Sequence, residues 1–356
     1  MKRVGRLWPR VIAFDTLLRA ARRASLGKRA SRSVAAFLER AEPECLALAR
    51  DLEAGTWRPG RPSRFQILDP KPRTITAAPF QDQVVHHALI DVLEPIFERR
   101  MIADSYACRR GKGTHAALHR VRAHVGRFPW FLKLDVASFF ASAPHAAVRD
   151  AIGRIVKDPR VLSLCATILA GWPGDPPVDR GLPIGSLTSQ WFANVLLDRV
   201  DHLVLDSLGI PGYARYMDDM VLFDLEKDRL KRAHTAITAF LDDPLGLRLK
   251  DRATILAPVD EGVPFLGRLV FRGTVRIRPE NLRRYRLRLR ERRREFRTGR
   301  RTEASYVRSV AALFELLRSA HTRALRLAWL DREALATDDG PVAQSSGGRH
   351  TAPATA

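Results

Sequence analysis

The sequence of 356 residues contains few cysteines, no excess of acidic residues and no long hydrophobic run. Its three cysteines lie far apart, which argues against both a disulfide framework and a thiolate zinc site. The longest nearly apolar run, 161–172, is far shorter than the roughly 20 residues that a membrane span needs. Arg10 and Asp15 interrupt the apolar stretch near the N-terminus, which is atypical of a secretory signal. These features favour a soluble, intracellular protein with no membrane partner.

Positive charge is abundant, and it is concentrated at the two ends of the chain. The sequence has 61 Lys and Arg against 39 Asp and Glu, a formal net charge of +22. Residues 1–50 carry 12 basic and 4 acidic residues, and residues 276–332 carry 18 arginines and 6 acidic residues. A solvated helix face is the ordinary explanation of one such run. Two runs around a nearly neutral centre favour a groove for a polyanion, usually nucleic acid.

The hydrophobic pattern indicates a mixture of helices and strands. Helical spacing predicts two helices within 11–55 and further helices at 79–100, 145–170, 188–207, 227–242 and 280–330. Strands are predicted near 65–68, 131–136, 253–257, 264–271 and 274–278. Residues 213–223 predict a β-hairpin with apolar arms. The segment from 336 to the end is rich in Gly, Ser, Ala, Thr and Pro, which is typical of a disordered tail.

Acidic residues occur at the predicted ends of apolar strands. Asp218 and Asp219 are adjacent at the tip of the predicted hairpin, and Asp135 ends the apolar run of the strand at 131–136. An Asp pair is also common in ordinary turns. Carboxylates clustered at strand ends repel one another unless a cation lies between them, and hard oxygen ligands suit Mg²⁺. Two such ions form the clamp for in-line phosphoryl transfer.

The tetrad Tyr216-Met217-Asp218-Asp219 resembles the hallmark of reverse transcriptases. Other motifs follow in that family's order: a cationic fingers motif at 70–75, the following helix at 80–98, a second fingers motif at 104–115 and a primer grip at 263–267. The resemblance covers roughly residues 10–330. As a set, these motifs are specific to that family.

The resemblance implies an α+β, right-hand polymerase fold with fingers, a palm whose antiparallel sheet packs on helices, and a helical thumb. The implied segments are an N-terminal helical extension (1–60), fingers (61–130 with part of 145–185), a palm with the YMDD hairpin (131–278), an Arg-rich thumb (279–332) and a disordered tail (333–356).

The resemblance also implies roles for the acidic residues. Asp135, Asp218 and Asp219 are expected to hold two Mg²⁺ ions, for which Mn²⁺ can substitute, and the backbone carbonyl of Val136 is a further expected ligand. One ion would lower the pKa of the primer 3′-hydroxyl, and the other would neutralise the triphosphate. Lys250 is a possible general acid for the leaving pyrophosphate.

Further residues are expected to contact the dNTP, the primer or the duplex. Lys71 and Arg73 would hold the triphosphate, and Phe140 would exclude a 2′-hydroxyl unless it is an ordinary core residue. The remaining expected contacts are Ile184, Gly185 and Gln190 for the dNTP, Phe265, Leu266 and Gly267 for the primer grip, and Arg292, Arg293 and Arg294 for the duplex.

Residues 181–190, GLPIGSLTSQ, carry a subfamily signal. Most reverse transcriptases have Gln-Gly where this chain has Ile184-Gly185, and many bacterial ones have Ser-Pro where it has Ser189-Gln190. The pattern resembles the enzymes of diversity-generating retroelements, which copy a template-repeat RNA into cDNA with frequent errors at adenines. That resemblance implies template RNA, an RNA–DNA hybrid, dNTPs and a small basic accessory protein as partners. The implied location is cytoplasmic, in the bacterial cytoplasm or nucleoid or in a phage-infected cell.

Two alternatives remain open. One is another bacterial reverse transcriptase, retron-like or intron-derived, with a possible role in phage defence. Ile184 and Gln190 argue against it, as does the short sequence after the expected thumb. The other is a non-catalytic RNA-binding protein on a polymerase scaffold. The intact Asp135, Asp218 and Asp219 argue against that second alternative.

Overall fold

The computed structural model describes residues 2–67, 72–171 and 179–338, with side chains described as far as residue 330. The chain divides into two compact units, Met1–Glu261 and Gly262–Ala356. The helices of the first unit are α1 (Trp8–Ile12), α2 (Phe14–Ala24), α3 (Arg32–Glu39), α4 (Ala41–Ala54), α5 (Phe80–Glu98), α6 (Thr114–Arg127), α7 (Phe139–Ser142), α8 (His145–Gly153), α9 (Pro159–Ala170), α10 (Leu187–His202) and α11 (Lys227–Asp242). Its strands are β1 (Ser63–Ile67), β2 (Arg73–Ala77), β3 (Trp130–Asp135), β4 (Gly212–Tyr216), β5 (Asp219–Asp224) and β6 (Ile255–Pro258).

Four of these strands form an antiparallel sheet in the order β4-β5-β3-β6. The two inner strands, β3 and β5, are almost continuously apolar, and all of their interior residues are buried. Such strands need cover on both faces. Helix α6 packs against β4 and β5, while α11 packs against β3, β5 and β6. The predicted hairpin at 213–223 is the pair β4–β5, and the predicted helix at 227–242 is α11.

Two helices, α5 and α10, form the centre of the core of this unit. Twelve of the 16 residues of α10 are buried, and so are 12 of the 19 residues of α5. A helix that is buried on nearly all sides lies in the interior. The two helices pack against each other, and Leu89, Phe97, Phe192 and Leu196 are among the residues that they contribute to the hydrophobic core. This buried pair forms a rigid base beside the sheet.

The second unit contains a three-stranded antiparallel sheet and three helices. They are β7 (Val263–Phe265), β8 (Arg268–Phe271), β9 (Thr274–Ile277), α12 (Pro279–Arg297), α13 (Glu303–Arg318) and α14 (Arg323–Asp338). Its core contains Ile277, Tyr285, Leu289, Leu313, Leu317 and Trp329. Because α12 buries only Tyr285 and Leu289, its arginines cover the rest of its surface. Of the three predicted duplex-binding residues, Arg294 is exposed, Arg293 is half-buried, and the half-buried Arg292 pairs with Glu295 at 3.0 Å.

The structure differs from the predicted segments in three places. The N-terminal extension has four helices rather than two, because Ala13 separates α1 from α2, residues 25–31 separate α2 from α3, and Arg40 separates α3 from α4. Strands β7–β9 group with the arginine-rich helices rather than with the four-stranded sheet. Helix α14 continues to Asp338, into the segment predicted as a disordered tail, and the rest of that tail lies outside the described residues.

No helix in the described part of the chain is both long enough and apolar enough to cross a membrane.

Three histidines of the first unit are held neutral by burial. Burial, together with the neighbouring His87, lowers the pKa of His86 to about 3. Burial lowers the pKa of His87 to about 4, with Lys28 adding to the effect, and burial together with Arg120 lowers the pKa of His124 to about 4. The ring of His124 stacks against Phe223 with centroids 5.2 Å apart. These contacts favour core packing over metal binding for these side chains.

We expect the free energy of unfolding to fall as pH decreases from about 6.5 to about 4. In that window the unfolded chain binds protons at these histidines while the folded chain does not, so acid favours unfolding. Each histidine contributes at most about 1.4 kcal/mol per pH unit. His124→Phe should flatten the slope of stability against pH in urea titrations, whereas the exposed His119→Gln on the same helix should leave it unchanged. Equal slopes for wild type and His124→Phe would contradict the assignment.

Candidate active site

The three predicted catalytic carboxylates meet at one end of the four-stranded sheet. Asp135 is the last residue of β3 and lies directly opposite Asp219, the first residue of β5. Tyr216 pairs with Asp219 in the β4–β5 hairpin, so Met217 and Asp218 form a two-residue turn. Directly opposed residues in an antiparallel pair have Cβ atoms about 5 Å apart. The predicted convergence of Asp135, Asp218 and Asp219 is therefore present in the fold.

The turn itself is in an uncommon backbone conformation. Met217 has a φ of +54°, in the left-handed region that residues other than Gly, Asn and Asp rarely adopt. Such a residue costs on the order of 1–2 kcal/mol relative to ordinary backbone. Turns with positive φ match the right-handed twist of the two strands that they join. The strained residue therefore lies next to a predicted metal ligand, a common location for backbone strain.

The electrostatics of the site reflect its crowding with acidic groups. Burial, together with the charges of Asp135 and Asp219, raises the pKa of Asp218 to about 6. Lys133 offsets part of this charge, because its ammonium group forms an ion pair with Asp219. Lys133 is buried, and it lies two residues before Asp135 on the same face of β3. The sequence interpretation missed this lysine, although a lysine inside an apolar strand was a visible signal.

The carboxylate oxygens at this end of the sheet fit Mg²⁺ ions that bind together with the substrate. Among the described residues, no three His, Cys, Asp or Glu side chains are arranged as a group that could hold a metal ion by themselves. Mg²⁺ commonly binds through one or two carboxylates, with waters and substrate phosphates as its other ligands, rather than in an all-protein cage. The half-buried and mutually repelling Asp135, Asp218 and Asp219 match that kind of site. The metal assignment stays a prediction.

The predicted ligand Val136 and the predicted general acid Lys250 lie beside each other. Val136 is buried and forms an isolated antiparallel bridge with Leu249. The backbone N–H of Lys250 donates to the carbonyl oxygen of Asp135 at 2.8 Å. Lys250 itself is exposed. This backbone contact brings Lys250 next to the carboxylate end of β3, and its role as a general acid stays a prediction.

The segment with the predicted subfamily signal is hydrogen-bonded both to Phe140, another predicted dNTP contact, and to strand β2. The N–H of Leu182 donates to the carbonyl of Phe140 at 2.6 Å, and the N–H of Thr76 in β2 donates to the carbonyl of Ile184 at 3.1 Å. Phe140 is half-buried, and its ring packs edge-on against Phe139, with centroids 5.5 Å apart. The chain segment 182–184 thus connects the start of α7 to β2.

Gly185 is required at this junction for two reasons. Its φ is +108°, and an added Cβ would lie 3.0 Å from Cγ2 of Ile75 in β2. Ile184 and Gln190 are half-buried near the start of α10. Arg73, the first residue of β2, is exposed, whereas Lys71 lies outside the described residues. The structure therefore places Ile184 and Gly185 against β2 and Phe140 against the neighbouring Leu182. The role of Lys71 stays a prediction.

The predicted primer grip, Phe265, Leu266 and Gly267, belongs to the second unit. Phe265 is buried at the end of β7, and Leu266 and Gly267 form the turn to β8 with φ of +47° and +74°. The side-chain amide of Asn281 donates to the carbonyl of Gly267 at 2.9 Å. An added Cβ on Gly267 would lie 2.5 Å from that amide nitrogen. The turn is therefore tied to the first turn of α12.

Asp218→Asn should raise the thermal stability of the metal-free protein at pH 7.5. The variant removes a buried charge that two neighbouring carboxylates repel, so we expect a gain on the order of 1 kcal/mol. Mg²⁺ should raise the melting temperature of the wild type by binding the folded state, and the variant should lose much of that increase. Differential scanning calorimetry with and without Mg²⁺ measures both effects.

Asp224→Asn, at the opposite end of β5, is the matched control. This carboxylate accepts a hydrogen bond from the N–H of Glu226 at 3.0 Å and pairs with Arg229 at 3.5 Å. Its removal should not stabilise the protein. A lower melting temperature for metal-free Asp218→Asn than for wild type would contradict the repulsion argument.

Comparison with known proteins identifies related sequences. Nuclear intron maturase 1, a mitochondrial protein of Arabidopsis thaliana, is 34% identical over 90 residues, which are 25% of this chain and 13% of the maturase. Group II intron-encoded protein LtrA of Lactococcus lactis subsp. cremoris is 26% identical over 172 residues, which are 46% of this chain and 28% of LtrA. Protein YkfC of Escherichia coli (strain K12) is 23% identical over 272 residues, with 64% of this chain and 71% of YkfC covered. The chain thus spans only a small part of the maturase.

Among solved structures, apo telomerase from Candida tropicalis superposes with a TM-score of 0.47 at 11% identity, over 61% of this chain and 48% of the telomerase chain. A family model for reverse transcriptase (RNA-dependent DNA polymerase) matches residues 68–268, more than half of the chain. The matched residues include β3 and the β4–β5 hairpin with its carboxylates. The predicted fold class, an α+β right-hand polymerase fold, is confirmed by this family match together with the helices and antiparallel sheets of the described residues. The chain belongs to the reverse transcriptase (RNA-dependent DNA polymerase) family.

Proposed function

We propose that this protein synthesises DNA on an RNA template by metal-dependent nucleotidyl transfer. The convergence of Asp135, Asp218 and Asp219 at one end of the sheet is the observation that supports this proposal. A non-catalytic RNA-binding protein has no need to keep three repelling carboxylates together at a cost in stability. We therefore favour the enzyme over the binding protein.

The residues of the site divide the chemistry among them. Asp135 and Asp218 are the principal ligands of the two ions, and Asp219, which is paired with Lys133, is the third carboxylate. When bound, Mg²⁺ supplies positive charge at the attacking and leaving oxygens of the in-line displacement. Lys250 lies beside Asp135, where it can protonate the leaving pyrophosphate. Arg73 and Lys71 hold the triphosphate by charge-assisted hydrogen bonds.

A primer-extension assay tests the activity. Purified protein with an RNA template, a DNA primer and dNTPs should extend the primer only when Mg²⁺ or Mn²⁺ is present. Asp135→Asn should lower the rate by several orders of magnitude, because phosphoryl transfer then lacks a principal metal ligand. Its affinity for the RNA–DNA duplex should stay nearly unchanged. Extension by Asp135→Asn at a rate near that of wild type would refute the metal assignment.

Phe140 is proposed to select deoxyribonucleotides. Its ring is half-buried rather than fully buried, so one face is available to a substrate. Phe140→Val should raise the incorporation of rNTPs relative to dNTPs, since the smaller side chain leaves room for a 2′-hydroxyl. Phe139→Leu alters the buried partner of the same aromatic pair and serves as the control. Unchanged discrimination in a folded Phe140→Val variant would make Phe140 an ordinary core residue.

The finer proposal is error-prone cDNA synthesis from the template-repeat RNA of a diversity-generating retroelement. It is supported by Ile184, which presents an aliphatic side chain where most reverse transcriptases have Gln. An aliphatic side chain has no hydrogen-bond donor or acceptor with which to fix the incoming nucleotide. The lost constraint is worth about 1 kcal/mol, or roughly fivefold in discrimination, so Ile184 must act together with other features.

Ile184→Gln should lower misincorporation opposite template adenine more than opposite the other bases. Single-nucleotide incorporation opposite each of the four template bases measures the ratio of misincorporation opposite adenine to misincorporation opposite the other bases. Ile184→Leu keeps an aliphatic side chain and should leave the ratio unchanged. If Ile184→Gln also leaves the adenine ratio unchanged, Ile184 marks a lineage without causing infidelity.

An intron-derived reverse transcriptase is the second candidate. The similarity of the chain to two relatives, a nuclear intron maturase and LtrA, a group II intron-encoded protein, favours this candidate. The two candidates differ in their templates: a retroelement enzyme needs a repeat RNA next to a variable target gene, whereas an intron-derived enzyme binds its intron RNA. RNA co-purified with the full chain and sequenced would distinguish them.

The proposed partners follow from the same reading. The arginine-rich α12 suits the phosphate backbone of a template–primer hybrid, and in the retroelement case a small basic accessory protein shares the RNA. A protein that works on such RNA would act in the bacterial cytoplasm or nucleoid.

A further inference from the structure

A fully buried ion pair adjoins the turn that carries Asp218. Arg215 in β4 and Asp201 in α10 are both 0% exposed. The Arg215 Nε donates to Oδ1 of Asp201 at 2.7 Å, and Nη2 donates to Oδ2 at 2.5 Å. The hydroxyl of Tyr213 donates to the same carboxylate at 2.7 Å. The pair is thus bidentate and has protein partners in place of water.

The remaining edge of the guanidinium group faces the turn. The Arg215 Nη1 donates to the carbonyl of Met217 at 3.3 Å and to Oδ1 of Asn194 at 3.1 Å. The amide nitrogen of Asn194 in turn donates to the carbonyl of Ala107 at 2.8 Å. The backbone N–H of Arg215 donates to the carbonyl of Asp104 at 2.9 Å. Because the guanidinium is planar and its neighbours are fixed, its direction toward Met217 is fixed as well.

One peptide unit links Asp218 to the carbonyl of Met217 that accepts the hydrogen bond from Arg215. The carbonyl of Met217 and the N–H of Asp218 belong to the same planar peptide group. Rotation of this peptide plane would therefore turn the backbone of Asp218, and with it the direction of the carboxylate. Met217 has a positive φ without a glycine, so its conformation depends on the surrounding contacts.

We infer that Arg215 is a positioning residue, which orients the carboxylate of Asp218 for metal binding through the carbonyl of Met217. It does not contact the substrate. The inference rests on the proposed function, in which Asp218 is a metal ligand. A purely stabilising role does not account for the arrangement, because a buried ion pair is often no more stable than apolar side chains of similar volume.

Arg215→Lys separates positioning from charge balance. Lysine keeps a positive charge beside Asp201, but its single ammonium group lacks the fork that reaches Asp201 and Met217 together. Mn²⁺ binding to the full chain without nucleic acid, followed by electron paramagnetic resonance, should weaken about fivefold, as for one lost hydrogen bond. In primer extension, kcat should fall about tenfold or more, because the ligand is misplaced, while KM for dNTP changes little.

Arg109→Lys is the matched control in the same unit. Arg109 binds Glu98 through Nε at 3.0 Å and through Nη2 at 2.7 Å, and its Nη1 donates to the carbonyl of Ile102 at 2.6 Å. Its guanidinium has no contact with Met217 among the described hydrogen bonds. This variant should lose thermal stability and keep its Mn²⁺ affinity within about twofold. If both lysine variants weaken Mn²⁺ binding equally, Arg215 is only structural and the inference is overturned.

A second variant decides the matter if Arg215→Lys does not fold. Asn194→Leu keeps the ion pair with Asp201 and removes the acceptor that steadies Nη1. Weaker Mn²⁺ binding by this variant supports the inference, and unchanged binding overturns it. If wild type binds Mn²⁺ but extends no primer, the proposed function fails while the Mn²⁺ comparison still tests Arg215. A wild type that extends primers but binds no Mn²⁺ in the absence of nucleic acid overturns the inference and leaves the proposed function standing.

Discussion

The antiparallel pairing of β3 with β5 sets the register on which the acidic site depends. A slip of one residue would turn every side chain of a strand to the other face of the sheet. Phe131 and Leu132 of β3 lie opposite Phe223 and Leu222 of β5, and all four are buried. Burial of each such side chain is worth about 1.5–3 kcal/mol, which is enough to hold repelling carboxylates opposite one another at the strand ends.

Two basic side chains act on the acidic site in different ways. Lys133 forms an ion pair with Asp219 directly, and so balances part of the negative charge within the site. Arg215 contacts no carboxylate of the site and pairs instead with Asp201 in α10. Its influence passes through the backbone of the turn. Both cations are buried, so their positions are set by packing rather than by solvent.

Backbone hydrogen bonds over long sequence distances connect the loop that contains Ile184 both to β2 and to Phe140. The N–H of Thr76 bonds the carbonyl of Ile184, and the carbonyl of Phe140 accepts the N–H of Leu182. Gly185 permits this approach because any Cβ would press against Ile75. The spacing between β2 and the start of α7 therefore depends on a short loop whose conformation only glycine adopts without strain.

The sequence alone determined the elements with strong local patterns. Helix α11 has the predicted bounds, and the β4–β5 hairpin and β3 lie within a residue of their predictions, because periodicity and turn residues are local signals. The acidic residues at the ends of apolar strands also indicated that Asp135, Asp218 and Asp219 belong to one site. Family membership then followed from motifs in their characteristic order.

Only the tertiary structure decided which charges are buried and what they contact. Arg215 and Asp201 look like ordinary polar residues in the sequence, yet packing of α10 against β4 removes both from water and leaves each as the partner of the other. The fold likewise pairs Lys133 with Asp219, which come from different strands. Local patterns encode the period of an element and where it ends. The partner of a buried charge depends on which distant elements the folded core brings together, and on the cost of leaving that charge unpaired.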